Sequence, residues 1–176
     1  LNTISNVSNI IEVVYIDDGS TDNSAEAFAN YKLDFNKKLF RFTNNMGRVL
    51  ANKKGVDLAS GEWVLFLQSN VCISNNIISN YRDAISNYDA LAFCGRVRYE
   101  SKDVVFQNYL NDSNRGINQF GNIQPVHFKY LLFGNCLIHR SVFKYIKFNI
   151  NLVHYGGEEL DFAYQLNLKF PNKIMS

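Results

Sequence analysis

The stretch IIEVVYIDDGSTD, residues 10–22, decides the fold class of this chain. Its first part, Ile10–Ile16, is rich in β-branched residues, which favours a buried strand. The turn-forming sequence DDGSTD follows, and Ser20 or Thr21 is a suitable N-cap for a helix that begins near Asp22. The stretch therefore predicts a strand, a tight turn and a helix, which is the repeating unit of an α/β fold.

Strands and helices continue to alternate after this unit. The sequence predicts strands at Leu39–Thr43, Trp63–Leu67, Ala90–Cys94 and Leu131–His139, and helices at Met46–Ala59, Asn75–Tyr88, Ser141–Ile146 and from Gly156-Gly157-Glu158-Glu159 to about Phe170. It also predicts one or two strands in Val97–Phe106 and a polar loop at Asn108–Gln124. This order is typical of an α/β protein with a mostly parallel central sheet flanked by helices.

Composition and charge exclude several classes of protein. Apolar residues make up 47% of the 176 residues, as in globular domains, and a net charge of +2 gives no support to nucleic-acid binding. No apolar run approaches the ~20 residues that a membrane-spanning helix needs. Cys72, Cys94 and Cys136 are far apart and odd in number, which predicts buried, reduced thiols in a cytoplasmic protein.

The acidic turn after the first strand is the strongest local signal for a ligand. In parallel α/β sheets, ligands bind beyond the carboxyl ends of the strands, where Asp17 and Asp18 lie. Their carboxylates can accept hydrogen bonds from a base N–H or from ribose hydroxyls. The alternative is a plain strand–helix turn in which Asp18 or Asp22 stabilises the helix dipole. The turn by itself leaves both interpretations open.

Four further landmarks follow this turn in a fixed order. They are Asn45-Met46-Gly47, then Ala59-Ser60-Gly61-Glu62 with the apolar strand WVLFL and Gln68-Ser69-Asn70, then Phe133-Gly134-Asn135 with Leu137–Phe143, and finally YGGEELDF at Tyr155–Phe162. The ordered set, which covers roughly Ile10 to Phe170, resembles family 2 glycosyltransferases, inverting enzymes of the GT-A fold. The resemblance implies one nucleotide-diphospho-sugar transferase domain over residues 1–176.

The resemblance also divides this domain. It implies a nucleotide-binding half at residues 1–95 and an acceptor-side half at residues 96–176. The family's first strand is expected to precede Leu1, and a C-terminal stretch is expected after Ser176. We therefore expect the sequence to belong to a longer protein.

The donor implied by the resemblance is a nucleoside-diphosphate sugar of the UDP or dTDP type. Asp17 and Asp18 would hold its base and ribose, while Arg48 and Lys53 lie just after the Asn45-Met46-Gly47 turn and could reach the diphosphate. The alternative for these basic residues is a solvated helix face, and this alternative is preferred for Lys54.

One landmark departs from the family pattern. Where the family carries Asp-x-Asp, whose last Asp binds Mg²⁺ or Mn²⁺, this chain has Gln68-Ser69-Asn70. Hard divalent cations favour anionic oxygen ligands, and Asn70 offers only a neutral amide oxygen. Three alternatives stay open: weak metal binding through Asn70, a leaving group stabilised by basic side chains without metal, or loss of activity with retention of donor binding.

Inverting transfer requires a base that deprotonates the acceptor hydroxyl. The resemblance places this base at Glu159, where the family carries Asp, with Glu158 directly before it. The alternative is that both carboxylates only stabilise the N-terminus of a helix. Asp161 and Asn135 are expected to contact the acceptor.

The sequence thus predicts an enzyme that transfers a sugar, with inversion, to a hydroxyl of a glycan or lipid-linked acceptor in polysaccharide biosynthesis. A lipid-linked acceptor would bring it to the inner face of the membrane as a peripheral protein. The competing hypothesis, motivated by Gln68-Ser69-Asn70, is a catalytically impaired module that binds nucleotide sugars. A dinucleotide-dependent oxidoreductase would need a GxGxxG turn after a strand, and the sequence has none.

Overall fold

The structure is a computed structural model that describes residues 12–114, 117, 121–152 and 157–176. Strands and helices alternate within these residues as the sequence predicts. The strands are β1 (Glu12–Asp17), β2 (Asn36–Arg41), β3 (Trp63–Leu67), β4 (Ala92–Cys94), β5 (Asn135–His139) and β6 (Ile174–Met175). The helices are α1 (Ser24–Asn30), α2 (Arg48–Leu58), α3 (Ile77–Asn87), α4 (Val104–Leu110), α5 (Val142–Tyr145) and α6 (Glu158–Lys169), and a 3₁₀ turn spans Phe128–Tyr130.

The described strands form two sheets. β1 and β2 pair in parallel, and the second sheet has the order β3-β5-β4-β6. In the second sheet β5 runs antiparallel to both of its neighbours, whereas β4 and β6 are parallel. Three of its four strands therefore run in one direction, with β5 reversed between them.

Helices cover both faces of the second sheet because its central strands alternate their side chains. In β5, Cys136 and Ile138 pack into one apolar cluster while Leu137 enters another. The first cluster is closed by α6, which contributes Phe162 among others, and the second is closed by α3. This arrangement is the buried α/β architecture that the apolar strand sequences predict.

The structure corrects several predicted elements. The prediction of strands in Val97–Phe106 is wrong, because the Asp103 side chain accepts hydrogen bonds from two backbone N–H groups and begins α4. The predicted strand Leu131–His139 is shorter, since only Asn135–His139 pairs with neighbours. The two-residue strand β6 was not predicted. The predicted strand start at Ile10, part of the loop Asn108–Gln124, and Gly156 lie outside the described residues.

The three cysteines are all free thiols, in two environments. Cys94 and Cys136 are buried, as the sequence predicts, and they are paired neighbours on β4 and β5. Burial raises the pKa of the Cys94 thiol to about 12, so this thiol stays protonated at neutral pH. Cys72 is exposed, so the prediction of a buried thiol is wrong there; the residue lies in the loop after β3.

In the part of the chain that the structure describes, the helices are too short or too polar to span a bilayer.

At Gly19, the turn after β1 makes a close backbone contact with the loop before α2. Gly19 has a φ of +76°, and a Cβ added there would lie 2.6 Å from the carbonyl carbon of Asn44 and 2.7 Å from the nitrogen of Asn45. A side chain at this position would therefore be strained and would also collide with backbone atoms.

We expect Gly19→Ala to lower the free energy of unfolding by about 2 kcal/mol or more, because strain and overpacking add. The measurement is urea-induced unfolding. The matched control is Gly121→Ala, where an added Cβ meets nothing within 4 Å; it should stay within about 0.5 kcal/mol of the wild type. Equal effects of the two substitutions would show that the close approach at Gly19 carries no cost.

Candidate active site

Asp18 links the acidic turn after β1 to the loop before α2. Its carboxylate accepts hydrogen bonds from the backbone N–H of Met46 (2.7 Å) and of Gly47 (2.9 Å). Two landmarks that are far apart in sequence, DDGSTD and Asn45-Met46-Gly47, are thus joined by one side chain. The carboxylate remains partly exposed.

Asp17 holds the turn from inside. One of its oxygens accepts a hydrogen bond from the Ser20 N–H at 2.9 Å, and the Arg41 Nε lies 2.9 Å from the other oxygen. The Asp17 side chain is 0% exposed. In this conformation the residue supports the turn and does not present its carboxylate to a ligand, unlike the nucleotide contact that the sequence predicts for it.

A cleft of about 300 Å³ lies beside Asp18 and brings together residues from both ends of the described chain. The residues that line it are Asp18, Asn45, Met46, Gly47, Arg48, Val49, Leu50, Ile150, Leu152 and Glu158. The predicted nucleotide-binding residues Asp18 and Arg48 therefore share one cavity with the predicted catalytic residue Glu158. A second cavity, of about 450 Å³, is lined by Arg98, Glu100, Ser101, Lys102 and Gln107, and none of these is a predicted site residue.

Arg48 joins the two walls of this cleft. Its Nε lies 3.3 Å from an oxygen of Glu158, and its terminal nitrogen forms a hydrogen bond and ion pair with Glu159. The two glutamates begin α6, whereas Arg48 begins α2. Arg48, which the sequence predicts to contact a diphosphate, thus contacts two carboxylates and lines the cleft.

Glu158 and Glu159 are buried, which is unusual for carboxylates. Together with Asp17 they are the buried charged residues of the described part of the chain, and the sequence analysis singled out all three. Glu159 also accepts a hydrogen bond from the Phe133 N–H at 3.2 Å. Burial raises the pKa of Glu159 above its ordinary value, and the negative charge of Glu158 adds to the rise, while Arg48 and the Phe133 N–H oppose it. A raised pKa suits a group that must take up a proton near neutral pH.

The two residues predicted to contact the acceptor already have partners within the protein. The Asn135 side chain accepts a hydrogen bond from the Tyr81 hydroxyl at 2.7 Å and donates one to the Arg96 carbonyl at 3.0 Å. Asp161 accepts a hydrogen bond from the Gln165 side chain at 2.6 Å, one turn further along α6. These contacts tie Asn135 to the scaffold, while Asp161 stays partly exposed at the start of the helix.

Lys53 lies on the outer part of α2. It forms an exposed ion pair of 2.7 Å with Asp57, four residues later. Lys53 therefore lies on a solvated helix face, the alternative that the sequence analysis gave for it. The Lys54 ammonium lies over the Phe40 ring, 4.2 Å from its centre, and is likewise part of the surface.

The residues present do not fit a tight Mg²⁺ or Mn²⁺ site. Gln68, Ser69 and Asn70 are exposed after β3 and offer neutral oxygens only. Among the described residues, no group of three His, Cys, Asp or Glu side chains is arranged to hold a metal ion. Because hard divalent cations require anionic oxygen ligands, the donor set at Asn70 is too weak to bind such an ion by itself.

Sequence reasoning missed the apolar part of the cleft and the partner of Asp17. Ile150 is 57% exposed although it is a large apolar residue, and Leu152 lies beside it in the cleft. Their only signal in the sequence is that Ile150 lies between Asn149 and Asn151, with Leu152 directly after. Arg41 gave no signal, because its contact with Asp17 depends on the parallel pairing of β1 and β2.

Comparison with known sequences gives a family assignment. The sequence model of glycosyl transferase family 2 matches residues 1–147. The glycosyltransferase GlyG of Streptococcus pneumoniae serotype 4 is 29% identical over 102 residues, which are 57% of this chain and 30% of GlyG. The chain thus spans about a third of the length of this relative.

Comparison with solved structures gives the fold. A crystal structure of S. aureus TarS 1-349 with UDP matches with a TM-score of 0.72 and 20% identity, covering 99% of this chain and 51% of that one. Another crystal structure of the same protein holds UDP-GlcNAc. GalNAc-T7 with UDP, GalNAc and Mn²⁺ matches with a TM-score of 0.64 and 16% identity, over 94% of this chain and 36% of that one. The expected α/β fold of GT-A glycosyltransferases is confirmed.

Proposed function

The chain belongs to glycosyl transferase family 2, and we propose that it transfers a sugar from a nucleoside-diphosphate sugar to a hydroxyl of a glycan or lipid-linked acceptor, with inversion. One observation carries this proposal: Asp18, Arg48 and Glu158 line one cleft although they come from opposite ends of the described chain, and Arg48 also contacts Glu159. A nucleotide-holding wall and a carboxylate that can act as a base are the two parts such a transfer needs.

The shape and charge of the cleft support a nucleotide donor of the UDP or dTDP type. Its volume of about 300 Å³ lies at the lower end of the range for small-molecule sites. Ile150 and Leu152 offer an apolar wall for a nucleotide base. α2 begins at Arg48, directly after Gly47, which has no side chain to cap the first backbone N–H groups of the helix. Such a helix N-terminus favours phosphate. TarS, which has a similar fold, binds UDP and UDP-GlcNAc in its crystal structures.

In the proposed reaction, Glu159 accepts the proton of the acceptor hydroxyl. The hydroxyl oxygen forms a bond to the anomeric carbon from the face opposite the diphosphate, and the bond from that carbon to the diphosphate oxygen breaks. The nucleoside diphosphate leaves with the electron pair. Residues 68–70 add no charge, so Arg48 and the N-terminus of α2 are the positive groups that this cleft offers to the leaving diphosphate.

Lys53, Asn70, Asn135 and Asp161 have secondary places in this proposal. Lys53 would reach the diphosphate only after leaving Asp57, and Asn70 would hold a metal ion only together with donor oxygens and water. Asn135 would shape the acceptor side through its contacts with Tyr81 and Arg96, and Asp161 would contact the acceptor directly.

The exposed free thiol of Cys72 suits a reducing compartment, so the proposed location is the cytoplasm, at the inner face of the membrane when the acceptor is lipid-linked.

A second candidate function is a module that binds nucleotide sugars without transferring them. The neutral sequence Gln68-Ser69-Asn70 favours it, because the family position that would supply a metal-binding carboxylate carries none. Both candidates predict donor binding, and only the first predicts turnover.

The deciding experiment measures release of UDP and free sugar from UDP-GlcNAc by the intact protein, without acceptor, in the presence of EDTA or Mn²⁺. We expect slow UDP release that EDTA lowers by no more than about threefold, since residues 68–70 supply no anionic ligand to an essential metal. The matched variant Asn70→Asp restores one carboxylate and should make release respond to Mn²⁺. UDP-GlcNAc binding without release would favour the binding module; if neither UDP nor dTDP binds, both functions fail.

A further inference from the structure

We propose that Arg48 is a positioning residue that holds the Glu159 carboxylate at the cleft, and that Glu158 anchors Arg48 from the other side. The inference rests on the proposed function for its catalytic part, because it takes Glu159 as the base. It assigns different roles to two adjacent carboxylates that the sequence alone treats as a pair.

The geometry of the three side chains carries this division. The Glu158 side chain is 2% exposed and lies 3.3 Å from the Arg48 Nε, whereas Glu159 contacts a terminal nitrogen of the same guanidinium. Arginine presents several N–H donors in one rigid plane, so a single side chain can contact both carboxylates at once. The Arg48 side chain itself is 30% exposed, so it spans from the buried glutamates to the open cleft.

The charges explain why this contact matters. Two buried carboxylates side by side repel each other, and a buried carboxylate without a partner is costly. The groups that face Glu159 are Arg48 from α2, Glu158 from its own helix, the Phe133 N–H, and Cys136 of β5, a thiol whose pKa burial raises. Arg48 is the positive charge in this set. Its removal should leave Glu159 free to turn, and should favour the protonated carboxyl, which cannot act as a base.

Thermal unfolding of the intact protein tests the contact without any substrate. We expect Arg48→Met to lower Tm by roughly 5–10 °C at pH 7.5, because it removes the positive charge that contacts both buried carboxylates. The loss should be smaller near pH 4.5, because a buried glutamate with a raised pKa destabilises the fold only as pH rises through that pKa and the group ionises. Arg82→Met, an exposed arginine on α3, is the control and should leave Tm unchanged.

The double variant Arg48→Met/Glu159→Gln separates coupling from simple loss of packing. If the two residues act as a pair, removing the carboxylate should recover at least half of the Tm lost in Arg48→Met. The inference would be overturned if the Tm losses of Arg48→Met and Glu159→Gln simply add in the double variant and do not depend on pH. If Arg48→Met alone does not fold, the double variant decides: its folding supports the pair, and its failure to fold contradicts it.

The pH profile of kcat/KM for sugar transfer tests the catalytic part. Arg48→Met should move the acidic limb of the profile to higher pH, and Arg48→Lys should move it less, because an ammonium keeps the charge but not the planar contact. If Glu159→Gln transfers sugar as fast as the wild type, the proposed base is wrong, while the unfolding result still stands. If Glu159→Gln is inactive but Arg48→Met keeps the wild-type profile, only the positioning role is refuted.

Discussion

Replacing Glu159 by Gln is expected to lower the rate of sugar transfer by roughly 10²–10⁴-fold, the usual contribution of a general base. The substitution keeps the size of the side chain and an oxygen for the Phe133 N–H, but the amide cannot accept the proton of the acceptor hydroxyl. Donor binding should change little, because Asp18 and Gly47 of the proposed nucleotide site belong to the opposite wall of the cleft.

The measurement combines initial rates of transfer with a titration of UDP. The matched control is Glu159→Asp, which keeps the carboxylate and shortens the arm by one methylene. We expect this variant to retain much more activity than Glu159→Gln. Comparable rates for the wild type and Glu159→Gln would remove Glu159 from the role of base.

The pH dependence of the wild type follows from the same residue. Burial raises the pKa of Glu159 above the ordinary 4.5, and transfer requires the ionised carboxylate. Activity should therefore rise with pH along a limb whose midpoint lies above 4.5, and that limb should be absent from the residual activity of Glu159→Gln.

Local sequence patterns predicted most of the fold. The strand Trp63–Leu67 has the predicted bounds, because a five-residue apolar run between polar turns is short enough to favour a strand over a helix. The segment after Cys94 was mispredicted where one side chain decides the outcome: Asp103 caps α4 and turns Val104 and Val105 into exposed helical residues. A single cap outweighs the β-branched composition that favoured a strand there.

The candidate site shows the limit of such reasoning more clearly. The acidic residues could be singled out because carboxylates in a turn or at a helix start have few roles. Their partners could not be predicted, since Arg41 reaches Asp17 through a strand pairing, and Arg48 reaches Glu159 across 111 positions of sequence. Which of Asp17 and Asp18 faces the cleft likewise depends on these partners, and the structure places Asp18 there.

The second large effect is expected at Phe162, which fixes the position of α6. Phe162 is 0% exposed, and its ring lies 5.0 Å from that of Phe148, 5.5 Å from that of Phe133 and 5.7 Å from that of Phe143. We expect Phe162→Ala to lower the free energy of unfolding by about 3–5 kcal/mol, because it removes buried ring contacts and leaves a cavity that aromatic neighbours fill poorly. Urea-induced unfolding measures the change.

Leu168→Ala is the control on the same helix. Leu168 is 63% exposed, so its truncation should change the free energy of unfolding by less than about 0.5 kcal/mol. A small effect at Phe162 would mean that the aromatic cluster repacks around the missing ring.

Because Phe162 lies one turn after Glu158 and Glu159, and Phe133 both packs on it and donates to Glu159, the cavity should also displace the carboxylates. We therefore expect Phe162→Ala to slow transfer even at temperatures where the variant remains folded. A destabilised variant with wild-type turnover would show that the packing of Phe162 does not position the carboxylates.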